Sequence, residues 1–188
     1  MQSSKEAARK TAAEERLTLA AANPNAAIRL AHHAKGLIAR LGAGVYAGYM
    51  PIRSELSPLL LLHELASLGA TIALPLTPSV GNPLTFHHWC EGDVLTDGRY
   101  GTLEPEPASL IMRPDVILVP LLAFDLGCWR LGYGGGYYDR TLADLRQCGG
   151  VCAIGIAYEG QRLDKIPVDT HDMPLDMVLC PSGLVFPL

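Results

Sequence analysis

Residues 130–140 read RLGYGGGYYDR and carry the densest chemistry in the chain. Three consecutive glycines, Gly134, Gly135 and Gly136, precede a helical pattern. Glycines in that position let the backbone approach a ligand closely, because no Cβ intervenes. The free N–H groups and positive dipole end of the helix then favour an anion, most often a phosphate. Arg130 and Arg140 bracket the loop, and Asp139 falls on the first helical turn, where a carboxylate could hold a metal beside bound phosphates. Two better-known glycine motifs do not fit. No Lys-Ser or Lys-Thr follows the glycines, and Tyr137 stands where G-x-G-x-x-G needs its last glycine. A flexible solvated turn is the plain alternative. The tyrosines, aspartate and arginines packed around the glycines argue against a mere linker.

Other candidates are scattered along the chain. Lys5 and Arg9 lie four apart on an N-terminal helix and share a face. Spacing alone fits a solvated charged surface as well as a phosphate clamp. Arg53 and Glu55 follow an apolar strand, where open α/β sheets place ligands; a local surface ion pair is the alternative. Asp169, His171, Asp172 and Asp176 crowd a proline-bounded loop near the end, which reads equally as a magnesium site or as a turn. His87-His88 is assigned a structural role. Cys90, Cys128, Cys148, Cys152 and Cys180 form no C-x-x-C pair, as expected of reduced thiols in a cytosolic protein.

These residues need a frame, and the apolar pattern supplies one. Residues 4–21 are rich in Ala, Glu, Lys and Arg without an apolar stripe, which predicts an exposed helix. Apolar residues at helical spacing from Ile28 to Leu41 predict a second helix, ended by Gly42-Ala43-Gly44. A strand at 45–50, a helix at 58–68 capped by Ser57, and a strand at 71–76 form a β-α-β unit with parallel pairing. Residues 77–113 read as irregular, with short strands and a hairpin at most. The almost wholly apolar 115–122 is the central strand, covered on both faces. A helix at 137–147 and strands at 151–157 and 177–180 complete an α/β fold: a single three-layer domain over residues 1–188, Rossmann-like, with a mostly parallel open sheet.

Composition narrows the function. With 49% apolar and 18% charged residues the chain is globular rather than disordered. A net charge of −4 gives no reason to expect nucleic acid as a partner. No apolar run is long enough to span a membrane, and the polar, Glu-containing N-terminus lacks the marks of a signal or transit peptide, so the expected location is cytoplasmic.

The motifs together resemble the 5-formyltetrahydrofolate cyclo-ligase family, also called methenyltetrahydrofolate synthetase. VPLLAFDLGCWRLGYGGGYYDRTL is the strongest match; GYMPIRSELSP, the EP pair of YGTLEPEP and IPVDTHDMPLDMVL follow family patterns in the right order. The resemblance implies an ATP- and magnesium-dependent enzyme that turns 5-formyltetrahydrofolate into 5,10-methenyltetrahydrofolate through a phosphorylated formyl group, acting as a monomer or weak homodimer. It implies that Lys5, Arg9, Arg130, Leu131, Gly132, Tyr133, Gly134, Gly135, Gly136, Tyr137 and Tyr138 hold ATP. Tyr133 to Tyr137 would also face the folate, with Met50 and Glu55. Asp139 and Asp172 would bind magnesium, and Arg130, Tyr137 and Asp139 would be catalytic. The pattern departs at Tyr133, where the family often has Arg or Lys, and at Ala8, where it usually has Leu. A phosphotransferase on the same loop and a non-catalytic binding protein are the competing readings; PIRSE and HDMPLD disfavour the first, and the paired carboxylates disfavour the second.

Overall fold

A computed structural model describes residues 2–188, with side chains from Lys5 onward; Met1 lies outside the described residues. In chain order the elements are α1 (Gln2–Ala22), α2 (Ala26–Ala31), α3 (Ala34–Leu41), β1 (Val45–Ala47), α4 (Leu59–Ser67), β2 (Thr71–Leu76), β3 (Thr85–His88), β4 (Leu95–Asp97), β5 (Leu103–Pro105), β6 (Ile111–Met112), β7 (Val116–Pro120), β8 (Ala123–Phe124), β9 (Arg130–Leu131), α5 (Tyr137–Gln147), β10 (Cys152–Ile156), β11 (Met177–Cys180) and β12 (Gly183–Val185).

One eight-stranded sheet runs in the order β12-β11-β10-β7-β1-β2-β3-β6. Its centre, β11-β10-β7-β1-β2, is parallel, and antiparallel strands flank it on both sides. This is the predicted mostly parallel α/β sheet. Side chains alternate between its faces, as strand geometry requires. Tyr46, Val116, Leu118 and Ile154 join a core with Leu30, Leu37 and the Leu61, Leu62 and Leu65 face of α4. Ala47, Ile117, Val119 and Ala153 face the other way, toward Leu142 of α5. The near-continuous apolar runs of β7 and β10 follow from burial on both sides.

The connections reverse between β1 and β7. The chain leaves β1 for β2 on one side, and leaves β7 for β10 and then β11 on the other. Such a switch point opens a crevice at the carboxyl ends of the two strands. Residues 48–58 leave β1 there, and residues 121–136 leave β7 there.

Several expectations need correction. The predicted second helix is two, α2 and α3. The N–H of His33 bonds Leu30 three residues back, and the His33 ring reaches the Pro181 carbonyl at 3.2 Å, so the chain turns at His32-His33 before restarting. Ile28 is exposed rather than buried. The 77–113 segment is less irregular than predicted: β3 and β6 extend the main sheet, and β4 and β5 form the hairpin. The strand β12 is additional. The helix α1 is not simply exposed, since Ala12 and Arg16 are buried and Leu19 sits on Gly160.

Candidate active site

The crevice at the switch point is a cavity of about 890 Å³. That volume falls in the range of small-molecule sites. Every residue singled out for ATP, folate or metal lines it, from Lys5 and Arg9 through Met50 and Glu55 to the glycine loop and Asp172. Four separate stretches of the chain therefore meet at one place.

The loop after β7 is built to deliver Arg130. Asp125 accepts N–H bonds from Gly127, Trp129 and Ile166, which folds the turn. The ribbon of β8 and β9 then pairs Phe124 with Arg130. Beyond it Gly134 and Gly136 take φ of +96° and +67°, which glycine adopts without strain. The helix α5 starts at Tyr137, so its first N–H groups open beside the loop.

Cations ring this loop. Arg9 Nε donates to the Gly132 carbonyl at 3.0 Å, and Arg140 Nη2 to that of Gly135 at 2.7 Å. The Arg140 guanidinium also lies 5.2 Å from the Tyr137 ring centroid. Tyr137 in turn meets Tyr100 from the β4–β5 connection, edge to face at 6.2 Å. Positive charge around unpaired helical N–H groups suits a polyphosphate.

Two carboxylates, Asp139 and Asp172, line this cavity. Asp139 Oδ1 accepts from Arg130 Nη2 at 2.5 Å and from the N–H of Met173 at 3.0 Å. Met173 follows Asp172, so this bond ties the start of α5 to the segment that carries the second acid. Asp172 Oδ2 accepts from Lys5 at 2.7 Å and from the N–H of Asp169 at 2.8 Å. Among the described residues, no hydrogen bond uses Asp139 Oδ2 or Asp172 Oδ1. Hard oxygen donors with one free atom each fit a magnesium ion. Burial works against the charge on Lys5, but its bonds to Asp172 and Asp169 prevail and raise its pKa. Asp169 is held below the usual carboxylate range, by the His171 N–H first and by Lys5 second. Asp176, grouped with these acids in the sequence, turns away to Arg146 and the Ala153 N–H.

The Glu55 side chain, which also lines the cavity, is only 4% exposed but is not paired with Arg53. Its Oε2 accepts from the Ile52 N–H at 2.9 Å, and its Oε1 lies 3.9 Å from Arg16 Nη1. Burial raises the Glu55 pKa, with the Ile52 N–H, Tyr133 and Arg16 pulling it back. Burial also pushes the Tyr133 hydroxyl up to about 12. Sequence reasoning missed Arg16, Tyr100 and Asp125. Helical spacing from Arg9 was the one signal for Arg16; nothing in the local pattern marked the other two.

A model of the 5-formyltetrahydrofolate cyclo-ligase family matches residues 1–181. The chain belongs to that family. The expectation of an enzyme of this family is thereby met. A cyclo-ligase-family relative, the 5-formyltetrahydrofolate cyclo-ligase of Mycolicibacterium smegmatis, is 35% identical over 155 residues, which cover 78% of each chain. That of Escherichia coli K12 is 33% identical over 74% of this chain and 79% of its own. The solved structure of Aquifex aeolicus 5,10-methenyltetrahydrofolate synthetase superposes with a TM-score of 0.78 at 27% identity, covering 97% of this chain and 92% of that one. No helix among the described residues is long and apolar enough to cross a membrane.

Proposed function

We propose that this chain is an ATP-dependent 5-formyltetrahydrofolate cyclo-ligase, producing 5,10-methenyltetrahydrofolate with release of ADP and phosphate. The observation that carries the reading is the meeting of a cation-ringed glycine loop, the carboxylates Asp139 and Asp172 and the buried Glu55 side chain in one cavity at the switch point. Phosphate chemistry sits at one end and a polar acceptor for an organic substrate at the other.

The chemistry needs both ends. A formyl oxygen is a poor leaving group until it is phosphorylated. Its attack on the γ-phosphorus forms an O–P bond, breaks the bond to the β-phosphate bridge and frees ADP. The neighbouring folate nitrogen then attacks the formyl carbon, loses its proton, and the C–O bond breaks as phosphate departs. The protein positions the reactants and neutralises charge. Arg9, Arg130, Arg140 and Lys5 face the phosphates, with the loop from Leu131 to Tyr138 wrapped around them. Arg130, Tyr137 and Asp139 are the residues assigned to the transfer itself. Met50 lies against the apolar part of the folate, and Glu55 accepts from its N–H groups. Asp139 and Asp172 would hold magnesium, which supplies charge neutralisation for the phosphates. The reading includes one domain, a monomer or weak homodimer, and a cytoplasmic setting.

The test mixes purified protein with 5-formyltetrahydrofolate, ATP and magnesium and follows methenyl absorbance in the near ultraviolet. Growth of the signal that needs both ATP and metal is expected. No signal from protein shown separately to bind ATP would move the assignment to a phosphotransferase or a binding protein.

A further inference from the structure

The helix α1 docks through an unusual stripe. Lys5, Arg9, Ala12 and Arg16 follow one another at helical spacing, so they share one face. Lys5 and Arg9 end at Asp169, Asp172 and Gly132, the phosphate side of the cavity. Arg16 goes elsewhere. It is 1% exposed and does not line the cavity. Nε donates to Ser54 Oγ at 3.1 Å, Nη1 to the Leu121 carbonyl at 3.0 Å, and Nη2 to the Tyr133 hydroxyl at 2.5 Å. It thus ties α1 to the loops after β1 and β7 and to the glycine loop.

A buried guanidinium is costly unless its donors are satisfied and its charge is answered. The three acceptors are neutral. The carboxylate that answers the charge is Glu55, 3.9 Å away. That distance is too long for a hydrogen bond but short enough for strong Coulombic attraction in a buried setting. Arg16 therefore favours the ionised form of Glu55 without occupying its lone pairs. The Tyr133 hydroxyl, which accepts from Arg16, also bonds the Glu55 carboxylate, whose remaining lone pairs can accept from a ligand in the cavity that it lines.

We infer that Arg16 is a positioning residue for the folate end of the cavity. From behind the wall it holds Glu55 as a carboxylate and fixes the Tyr133 hydroxyl beside it, so that Glu55 can accept from the ligand. The inference rests on the cyclo-ligase reading above. The groups around Glu55 are Arg16 from α1, Arg53 and the Ile52 N–H from its own loop, Tyr133 from the glycine loop, Tyr49 beyond β1 and Tyr138 from α5. Burial presses Glu55 toward its neutral form, and Arg16 is among the groups that oppose it. Without Arg16, Glu55 keeps its proton to a higher pH.

The test compares wild type with Arg16→Met, Arg16→Lys, Glu55→Gln and the Arg16→Met/Glu55→Gln double variant. Binding of 5-formyltetrahydrofolate without ATP is measured by calorimetry across pH, and KM is measured for both substrates. Arg16→Met should weaken folate binding about tenfold or more at neutral pH. It should move the acid limb of binding up by about one pH unit. The KM for ATP should rise by less than the loss in folate binding, and Arg16→Lys should recover part of that loss. In the Glu55→Gln background the loss of Arg16 should shift no limb. A folded Arg16→Met variant whose limb stays in place, with both KM values and kcat changed in proportion, overturns the inference. If Arg16→Met does not fold, Arg16→Lys and Arg16→Gln decide, and unmoved limbs in both overturn it equally. Wild type that binds no folate fails the reading of the site as well. Wild type that binds folate while the variants keep its limb fails this inference alone.

Discussion

Lys5 Nζ lies 2.7 Å from Asp172 Oδ2, a pair separated by 167 positions in sequence. A second contact, to Asp169 at 3.0 Å, clamps the ammonium between two carboxylates at the mouth of the cavity. The Lys5 side chain is only 13% exposed, so this is not a free surface pair. It fixes a positive charge where a polyphosphate would arrive.

Lys5→Met should therefore raise the KM for ATP roughly tenfold, the size of one charge-assisted contact. Folate binding without ATP should stay within about twofold of wild type, because Lys5 does not reach the Glu55 wall. Equilibrium titration with each ligand separates the two effects. Unchanged ATP binding would reduce Lys5 to a clip between the ends of the chain.

Asp139→Asn keeps an oxygen to accept from Arg130 and from the Met173 N–H, so the fold should survive. What is lost is one of the two negative charges proposed to hold the metal, the other being that of Asp172. Turnover should fall on the order of a hundredfold or more, while thermal unfolding stays near wild type. A magnesium titration should show a higher requirement for whatever activity remains. Near-normal turnover at ordinary magnesium would remove Asp139 from the metal role.

The frame for these residues was legible because burial on both faces writes itself as apolar runs. The strands β7 and β10 and the Leu-rich α4 could be placed before any coordinates. The glycine loop was legible because its residue types are unusual together. Less visible was anything held by polar rather than apolar contacts. The face of α1 that docks carries Lys5, Arg9 and Arg16, so a search for apolar periodicity reports an exposed helix. At the outer side of the sheet, β3 is short and mixed in polarity and β6 is only two residues long, too short to show a pattern. Asp176 looked equivalent to Asp172, but Arg146 on α5 takes it. The resemblance named the residues of the cavity in one-dimensional order; only the fold could bring Glu55 to Arg16 instead of Arg53.

Glu55 gives the wild-type reaction a pH signature. Burial raises its pKa above the ordinary glutamate value of about 4.3. A raised carboxylate pKa means that the proton is held to higher pH. As pH falls through that value, Glu55 becomes neutral and accepts ligand N–H bonds less well. The KM for folate should then rise on the acid side, with its limb above the usual glutamate range. Glu55→Gln should bind folate more weakly at neutral pH and lose that limb. A limb unchanged by Glu55→Gln would assign it to another group.

Gly134 and Gly132 separate two reasons for glycine in the loop. Gly134 has φ of +96°, and a Cβ there would lie 3.1 Å from the Arg9 guanidinium carbon. Gly134→Ala should cost about 1–2 kcal/mol from backbone strain alone, which lowers Tm by about 2–8 °C in a chain of this size. It should also weaken ATP binding by displacing Arg9. A Cβ on Gly132 meets nothing within 4 Å, and its φ lies outside the left-handed region. Gly132→Ala should accordingly unfold within a degree or two of wild type, about the spread of a neutral surface change. If its ATP affinity still falls, the added methyl is meeting the nucleotide rather than the protein, and the loop approaches its ligand there as closely as a glycine run permits. If Gly134→Ala is as stable as wild type and binds ATP equally well, the loop has another backbone conformation in solution, and the positions of Arg9 and Arg140 around it must be redrawn.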